Sequence, residues 1–147
     1  MHKRSKKIIL YIALTLLALF VVIQIIPFGK EHSNPPVVVE PKWDNEQTRA
    51  VAKMACFDCH SNETIWPWYS NIAPVSWLVY YDVVDGRQSM NFSDWGNIHP
   101  RESGEIASII KDGEMPPLQY LLIHSSARLT SAQKTQLITG LLKTFGQ

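Results

Sequence analysis

The sequence has little of what several functional classes require. Cysteine occurs only twice, whereas a structural zinc site is typically held by about four ligands in separated pairs. No basic cluster marks a nucleic-acid-binding surface, and the formal net charge is only +1. A phosphate-binding loop, a nucleophile elbow and a metalloprotease motif are all absent. We therefore expect no nucleic-acid partner, and nothing in the sequence marks the chain as an enzyme.

A long apolar run near the start of the chain is present instead. It extends from Ile8 to Ile26 without a charge, and its length is close to the ~20 residues that cross a bilayer as a helix. The residues before it are basic: Lys3, Arg4, Lys6 and Lys7. By the positive-inside rule, this tail, residues 1–7, stays in the cytoplasm. We expect residues 8–26 to be a single-pass anchor in a bacterial cytoplasmic membrane, with the rest of the chain on the periplasmic side.

A cleaved signal peptide is the alternative for this run. Its apolar part would be shorter, about 7–15 residues, and would end at a small-residue cleavage site. The sequence Ile25-Ile26-Pro27-Phe28 offers no such site, and no cysteine follows it for lipoprotein processing. The length of the run and the missing site favour an uncleaved anchor.

The rest of the chain divides into a linker and one domain. Prolines disfavour helix and predict an extended linker over residues 27–41. These prolines are Pro27, Pro35, Pro36 and Pro41. Residues 42–147 are numerous enough to bury a core, and no alternating pattern indicates strands within them. We predict an all-α domain with long ordered loops.

Capping signals and apolar spacing predict the first two helices of this domain. One begins at Asp44, with Gln47 as its capping-box partner, and runs into a turn at Cys56. The next begins at Pro74 and runs toward Gly86. Its predicted apolar face consists of Trp77, Leu78, Tyr81 and Val84.

Two further helices and a short helical turn complete the prediction. The third helix spans residues 100–112, and Gly113 caps its end. A helical turn follows Pro117, and the last helix begins at Thr130 with Gln133 as its capping-box partner. The predicted buried positions are Ile106, Ile109 and Ile110 in the third helix, and Leu137, Ile138, Leu141, Leu142 and Phe145 in the last.

The run Cys56-Phe57-Asp58-Cys59-His60 indicates the chemistry of the domain. Two thiols at positions i and i+3 lie on one face of a helical turn, where they can reach the two vinyl groups of a porphyrin. The histidine that follows can turn its imidazole onto the iron. This pattern is an attachment signature for c-type haem. We predict one covalent haem c, with thioether bonds to Cys56 and Cys59 and with His60 as an axial iron ligand.

Three other interpretations of the cysteine pair explain less. A thioredoxin-like redox pair belongs in a βαβ context, whereas helices are predicted here. Zinc requires more ligands than one cysteine pair supplies. A structural disulfide suits an oxidising compartment but does not account for His60.

The second axial ligand is predicted at Met115. A histidine and a methionine are the usual ligand pair of electron-transfer cytochromes c. Pro116 and Pro117 deny this loop a helix and stiffen it. Other candidates are His124, His99 and Met90, and position 115 is also compatible with an ordinary core methionine. The chain offers three less suitable residues: Met54 beside the attachment run, His2 in the cytoplasmic tail and His32 in the linker.

Aromatic residues are dense after the attachment run. Trp66, Trp68 and Tyr69 are candidate haem contacts, because aromatic rings pack well on a porphyrin. Arg87 is a candidate partner for a haem propionate through charge-assisted hydrogen bonds. An aromatic core without cofactor contact is the alternative.

The stretch from Cys56 to Trp95, with Met115-Pro116-Pro117 and Tyr120-Leu121, resembles the haem-binding-domain family of small bacterial single-haem c-type cytochromes. Its most specific pieces are the attachment run, Trp66-Pro67-Trp68-Tyr69-Ser70, and Gly86-Arg87 before Asn91-Phe92-Ser93. The resemblance implies a small cytochrome c-like helical domain that binds haem and is exported or membrane-anchored.

These expectations favour electron transfer. An iron held by His60 and Met115 would change oxidation state with little rearrangement, and its partners would be membrane-bound or periplasmic redox proteins. The alternatives are a haem-based sensor or binding module for a small gas, and a weak peroxidase. Both require an open or labile sixth iron position.

Overall fold

The computed structural model describes residues 2–96 and 103–146. Within these ranges the regular structure is helical, and β-type pairing is limited to one isolated parallel bridge between Val39 and Asp94. The predicted all-α class is therefore confirmed. His99 and the predicted helix start at Pro100 lie outside the described residues.

The α-helices in the described ranges follow the predicted order. They are α1 (His2–Ile23), α2 (Glu46–Ala55), α3 (Phe57–His60), α4 (Val75–Ser89), α5 (Ser103–Asp112), α6 (Leu118–Ile123) and α7 (Ser131–Phe145). Two 3-10 turns, Trp68–Asn71 and Ser125–Ala127, occur between them.

The contacts of the chain group it into two units. The first unit contains residues up to 32 and residues 66–81, and the second contains residues 33–65 and the described residues from 82 onward. Helix α4 begins in the first unit and ends in the second. The segment predicted as a linker, residues 27–41, is divided between the two.

The first unit contains the apolar helix. Residues Arg4–Ile23 of α1 are long and apolar enough to cross a membrane, and none of the apolar window is buried by the protein. A membrane anchor and a signal sequence both contain such a helix.

The second unit has a core in which aromatic rings follow one another. Phe57 stacks on Phe92 with ring centroids 5.3 Å apart, Phe92 on Trp95 at 5.9 Å, and Trp95 on Phe145 at 4.8 Å. Helices α2 and α5 both pack against α7, whose Leu137 is buried in the same core. Burial of such large rings contributes much of the stability of a domain of this size.

Local signals place most helix ends correctly. Thr130 and Gln133 form the predicted capping box of α7, and Gly113 ends α5 with φ +79°. The predicted start of α2 is wrong: Asn45 is the N-cap, and its Oδ1 accepts a hydrogen bond from Thr48 N at 2.9 Å. The backbone N–H of Asp44 donates instead to Thr144 Oγ1 at 3.2 Å, so a tertiary contact overrides the local signal.

The predicted apolar face of α4 is wrong at two of its four positions, whereas Trp77 and Val84 are half-buried. Leu78 and Tyr81 are 48% and 64% exposed, whereas Ser76, Val83 and Gly86 are buried. The helix also continues past Gly86 to Ser89. Burial along α4 is therefore decided by close backbone approach as well as by side-chain polarity.

The predicted core stripe of α7 needs one correction of the same kind. Leu142 is exposed, and Gly140 and Thr144 are buried beside Leu137 and Leu141. A Cβ at Gly140 would lie within 2.8 Å of the Thr48 side chain, so α2 and α7 approach each other at a glycine.

Candidate haem site

The attachment run consists of Cys56 and the four residues of α3, Phe57–His60. Cys56 ends α2 and precedes α3, and its carbonyl accepts hydrogen bonds from Cys59 N at 3.2 Å and His60 N at 2.9 Å. The turn brings both thiols and the imidazole to the same cavity. This is the arrangement that the three-residue spacing predicts.

Burial favours the neutral form of both thiols. It raises the pKa of Cys56 and of Cys59 to about 12, and the nearby Asp82 and Asp58 add to the effect at Cys59. A thiol–disulfide catalyst instead requires a cysteine with a lowered pKa. The environment therefore disfavours the thioredoxin-like interpretation.

The imidazole of His60 is held by the backbone. Its Nδ1–H donates to the carbonyl of Met90 at 3.1 Å, so Nε2 is the nitrogen left to bind a metal. A hydrogen bond of this type is the usual way in which a ligating histidine is oriented. Burial lowers the pKa of His60, which favours the neutral, ligating form.

Helix α4 meets the attachment turn at a glycine. A Cβ at Gly86 would lie 2.5 Å from the carbonyl oxygen of Cys59, a distance that no real side chain tolerates. Gly86 therefore allows the close contact that supports the turn. The carbonyl of Met90 and the close packing at Gly86 were not identified from the sequence, because a backbone contact has no residue signature.

The cavity has a volume of about 270 Å³ and is mainly apolar. Cys56, Cys59, His60 and Met115 all line it. Its apolar lining includes Ile106, Ile109, Ile110, Leu137 and Leu141. An apolar cavity with a few convergent polar groups is typical of a cofactor site.

Met115 lies in the loop that follows α5. Its backbone N–H and that of Glu114 point to the carbonyl of Ile109, at 3.4 and 3.0 Å, which ends the helix tightly. The Met115 side chain is 42% exposed. Pro117 then caps α6, so the loop is short and bounded by helices on both sides.

Tyr120 connects this loop to the attachment turn. Its hydroxyl donates to Asp58 Oδ2 at 2.7 Å, and Asp58 lies between the two cysteines. Burial and the carboxylate raise the pKa of Tyr120, so it stays a donor at neutral pH. The sequence offered one signal for Tyr120, its place in the family resemblance, but no role.

Arg87 organises the chain that follows the attachment run. Its guanidinium donates to Ser61 O at 2.8 Å, Thr64 Oγ1 at 2.9 Å, Asn34 Oδ1 at 2.9 Å and Ser33 O at 3.1 Å. It is not among the described residues that line the cavity. Its binding to a haem propionate stays a prediction.

The polar residues after His60 are more buried than a surface turn would be. Ser61 Oγ donates to Phe57 O at 2.8 Å, and Asn62 N donates to Ser93 Oγ at 2.9 Å. Both residues are buried, and the bonds satisfy their polar groups. They give the attachment turn a rigid support.

The remaining predicted residues lie elsewhere. Trp66, Trp68 and Tyr69 belong to the first unit, and their contact with haem stays a prediction. His124 stacks on Tyr120, with ring centroids 3.9 Å apart, and the described lining of the cavity does not include it. Met90 lines the cavity, and its backbone carbonyl accepts the hydrogen bond from His60. Its ligation of iron stays an alternative to that by Met115.

The donor set of the cavity fits a haem. It combines two thiols, an oriented imidazole, a thioether and apolar walls. Among the described residues, no group of three or more His, Cys, Asp or Glu is placed to hold a metal ion directly.

Comparison with known proteins agrees with this chemistry. A family model described as a haem-binding domain matches residues 18–143. No curated protein and no solved structure matches the chain. The chain is a haem-binding protein. It belongs to the haem-binding-domain family.

Proposed function

We propose that the chain is a membrane-anchored c-type cytochrome that transfers electrons through one covalently attached haem. A single observation carries this proposal: Cys56, Cys59, His60 and Met115 line the same cavity. Haem supplies the redox-active iron. The chain supplies two thiols for thioether bonds and two axial ligands of the type that favours electron transfer.

The surroundings of these residues support a site with little reorganisation. His60 is fixed by the Met90 carbonyl, and the Met115 loop is tied to the attachment turn through Tyr120 and Asp58. Preorganised ligands allow a change of iron charge without a change of coordination. The apolar walls exclude water, which tunes the potential of a bound haem.

The membrane anchor is supported by contacts at the end of α1. Gln24 bonds both backbone groups of Ala73, so the helix end is part of a folded unit. Cleavage of α1 as a signal sequence would remove structure that this unit uses. With Lys6 and Lys7 on the cytoplasmic side, the haem site faces the periplasm, and membrane-bound or periplasmic redox proteins are the partners.

Covalent attachment is tested with the chain matured by a host that assembles c-type cytochromes. The wild type should retain haem through a denaturing gel, and a Cys56→Ser, Cys59→Ser double variant should lose it. Met115→Ala is the matched control, because it lines the same cavity and should keep the covalent haem. Release of haem from the wild type under denaturing conditions would contradict attachment.

Ligation by Met115 is tested by the absorption spectrum of the ferric protein. The wild type should show a low-spin spectrum with a methionine-to-iron charge-transfer band, and Met115→Ala should lose that band. A band that survives in the variant would show that another methionine is the ligand, with Met90, which lines the cavity, the first to examine. Absence of the band from the wild type would instead indicate a ligand other than methionine, such as His124.

A gas sensor with a labile sixth position is the second candidate. The position of Met115 in the loop between α5 and α6, outside any helix, is the observation that favours it. Carbon monoxide added to the ferrous wild type distinguishes the two functions. Slow or weak binding supports the electron carrier, and rapid, tight binding supports the sensor.

A further inference from the structure

The segment of residues 66–81 combines many aromatic residues with a complete absence of charge. It contains no Asp, Glu, Lys or Arg, although it includes three tryptophans and three tyrosines: Trp66, Trp68, Trp77, Tyr69, Tyr80 and Tyr81. We call it the aromatic segment. Tryptophan and tyrosine are the residues that concentrate at membrane–water interfaces, where the ring is apolar and its N–H or O–H meets water.

The aromatic segment is bonded to the end of α1. Gln24 Nε2 donates to Ala73 O at 2.9 Å, and Ala73 N donates to Gln24 Oε1 at 3.0 Å. Both backbone groups of Ala73 are thus satisfied by one side chain of the helix end. Whatever depth Gln24 occupies in a bilayer, Ala73 must lie within one side-chain length of it.

Residues 28–32 contact the aromatic segment at three further points. A Cβ at Gly29 would lie 2.8 Å from Ser76 O, so the two backbones are in direct contact. Phe28 packs edge-to-face on Tyr80 at 5.4 Å. His32 stacks on Trp66 at 4.5 Å, which fixes the start of the segment to the same stretch of chain.

The length of α1 defines the depth at which these contacts lie. Its uncharged part, Ile8–Ile23, spans about 24 Å at 1.5 Å per residue, and residues 24–26 complete the uncharged run that crosses the roughly 30 Å of hydrocarbon. Residues 24–32 therefore pass from the far edge of the hydrocarbon into the headgroup layer, which is about 5–8 Å thick on each side. The aromatic segment, bonded to residues 24–32, enters the same layer.

The segment also has an apolar surface that the protein leaves uncovered. Trp68 is 76% exposed, and Ile72, Val75, Leu78 and Tyr81 are exposed as well. Exposed apolar side chains in this number on one short segment indicate an interaction site. We infer that the aromatic segment lies in the headgroup layer of the bilayer, with these five side chains toward the lipid, and that it forms a second membrane contact beside α1.

This inference rests on the proposed membrane anchor, and photocrosslinking of the full haem-loaded chain in lipid nanodiscs tests it. The nanodiscs contain phosphatidylethanolamine and phosphatidylglycerol. The photoreactive residue p-benzoylphenylalanine replaces Trp68 in one variant and Tyr81 in another, so that either can report if the other fails to fold. The control places it at Lys143, an exposed position of α7 whose native charge belongs in water.

Labelling of lipid at Trp68 or Tyr81 should exceed that at Lys143 severalfold. If the chain co-elutes with nanodiscs but neither position labels lipid above the control, the inference is overturned while the anchor stands. Crosslinks to a second copy of the chain instead of to lipid overturn it as well. If the chain does not co-elute with nanodiscs, the anchor fails and the inference fails with it, while the haem spectrum still decides the electron-transfer proposal.

Discussion

Removal of one hydroxyl, in Tyr120→Phe, should weaken the methionine ligand without touching haem attachment. The Tyr120 hydroxyl donates to Asp58 Oδ2 at 2.7 Å and joins the Met115 loop to the attachment turn. A hydrogen bond to a charged group contributes about 1.5–3 kcal/mol, and the lower end applies because Tyr120 is half-buried. A loss of about 1.4 kcal/mol changes an equilibrium tenfold. The methionine-bound form should therefore lose about a factor of ten relative to the open form.

Carbon monoxide measures this change, because it competes with the methionine for ferrous iron. Its apparent affinity should rise by up to about tenfold in Tyr120→Phe, since the competent state becomes more populated. The charge-transfer band of the ferric protein should weaken in parallel. Tyr81→Phe removes a hydroxyl from an exposed tyrosine outside the cavity and should change neither quantity. Equal carbon monoxide affinities in Tyr120→Phe and wild type would refute the role given to this hydrogen bond.

Two further substitutions test stability. Gly86→Ala places a Cβ 2.5 Å from Cys59 O and should cost about 1–3 kcal/mol, seen as a lower Tm. Gly104→Ala meets nothing within 4 Å and should leave the Tm unchanged or higher; an equal loss in both would contradict the close contact. Arg49 holds the pKa of Glu40 below its ordinary 4.5, so their pair stabilises the fold above that pH and is lost as pH falls through the lowered pKa. Arg49→Met should lower the free energy of unfolding at neutral pH by up to about 1 kcal/mol. It should also make that free energy fall less steeply as the pH drops below 4.5. Urea titrations that give the same free energies for variant and wild type, at neutral pH and below pH 4.5, would contradict this.

Features that depend on neighbouring residues could be predicted from the sequence. The capping box of Thr130 and Gln133 and the left-handed Gly113 need only local backbone geometry, and both are present as expected. The attachment run is local in the same sense, because a helical turn alone brings Cys56 and Cys59 to one face. The family assignment rested on these local motifs and is confirmed.

Features decided by tertiary contact could not be predicted in the same way. Asp44 and Asn45 are both good N-caps, and the choice follows from Thr144, which binds the backbone of Asp44 from the far end of the domain. On α4, apolar spacing points to Leu78 and Tyr81, yet close backbone contact buries the glycine of the same helix. The polarity of side chains alone does not identify the buried face of α4, because that face is defined by the close approach of its backbone at Gly86 to the backbone of Cys59.

Both predicted axial ligands are held by contacts that no motif reveals. His60 is oriented by a carbonyl, which any residue at position 90 would supply, and the Met115 loop is held by a tyrosine 62 residues away from its acceptor. A chain with the same attachment run and the same methionine, but without the Tyr120–Asp58 hydrogen bond, would bind haem equally well and release its methionine more easily. The difference between an electron carrier and a ligand sensor would then depend on α6 and its hydrogen bond to Asp58, because the attachment run would be identical in both.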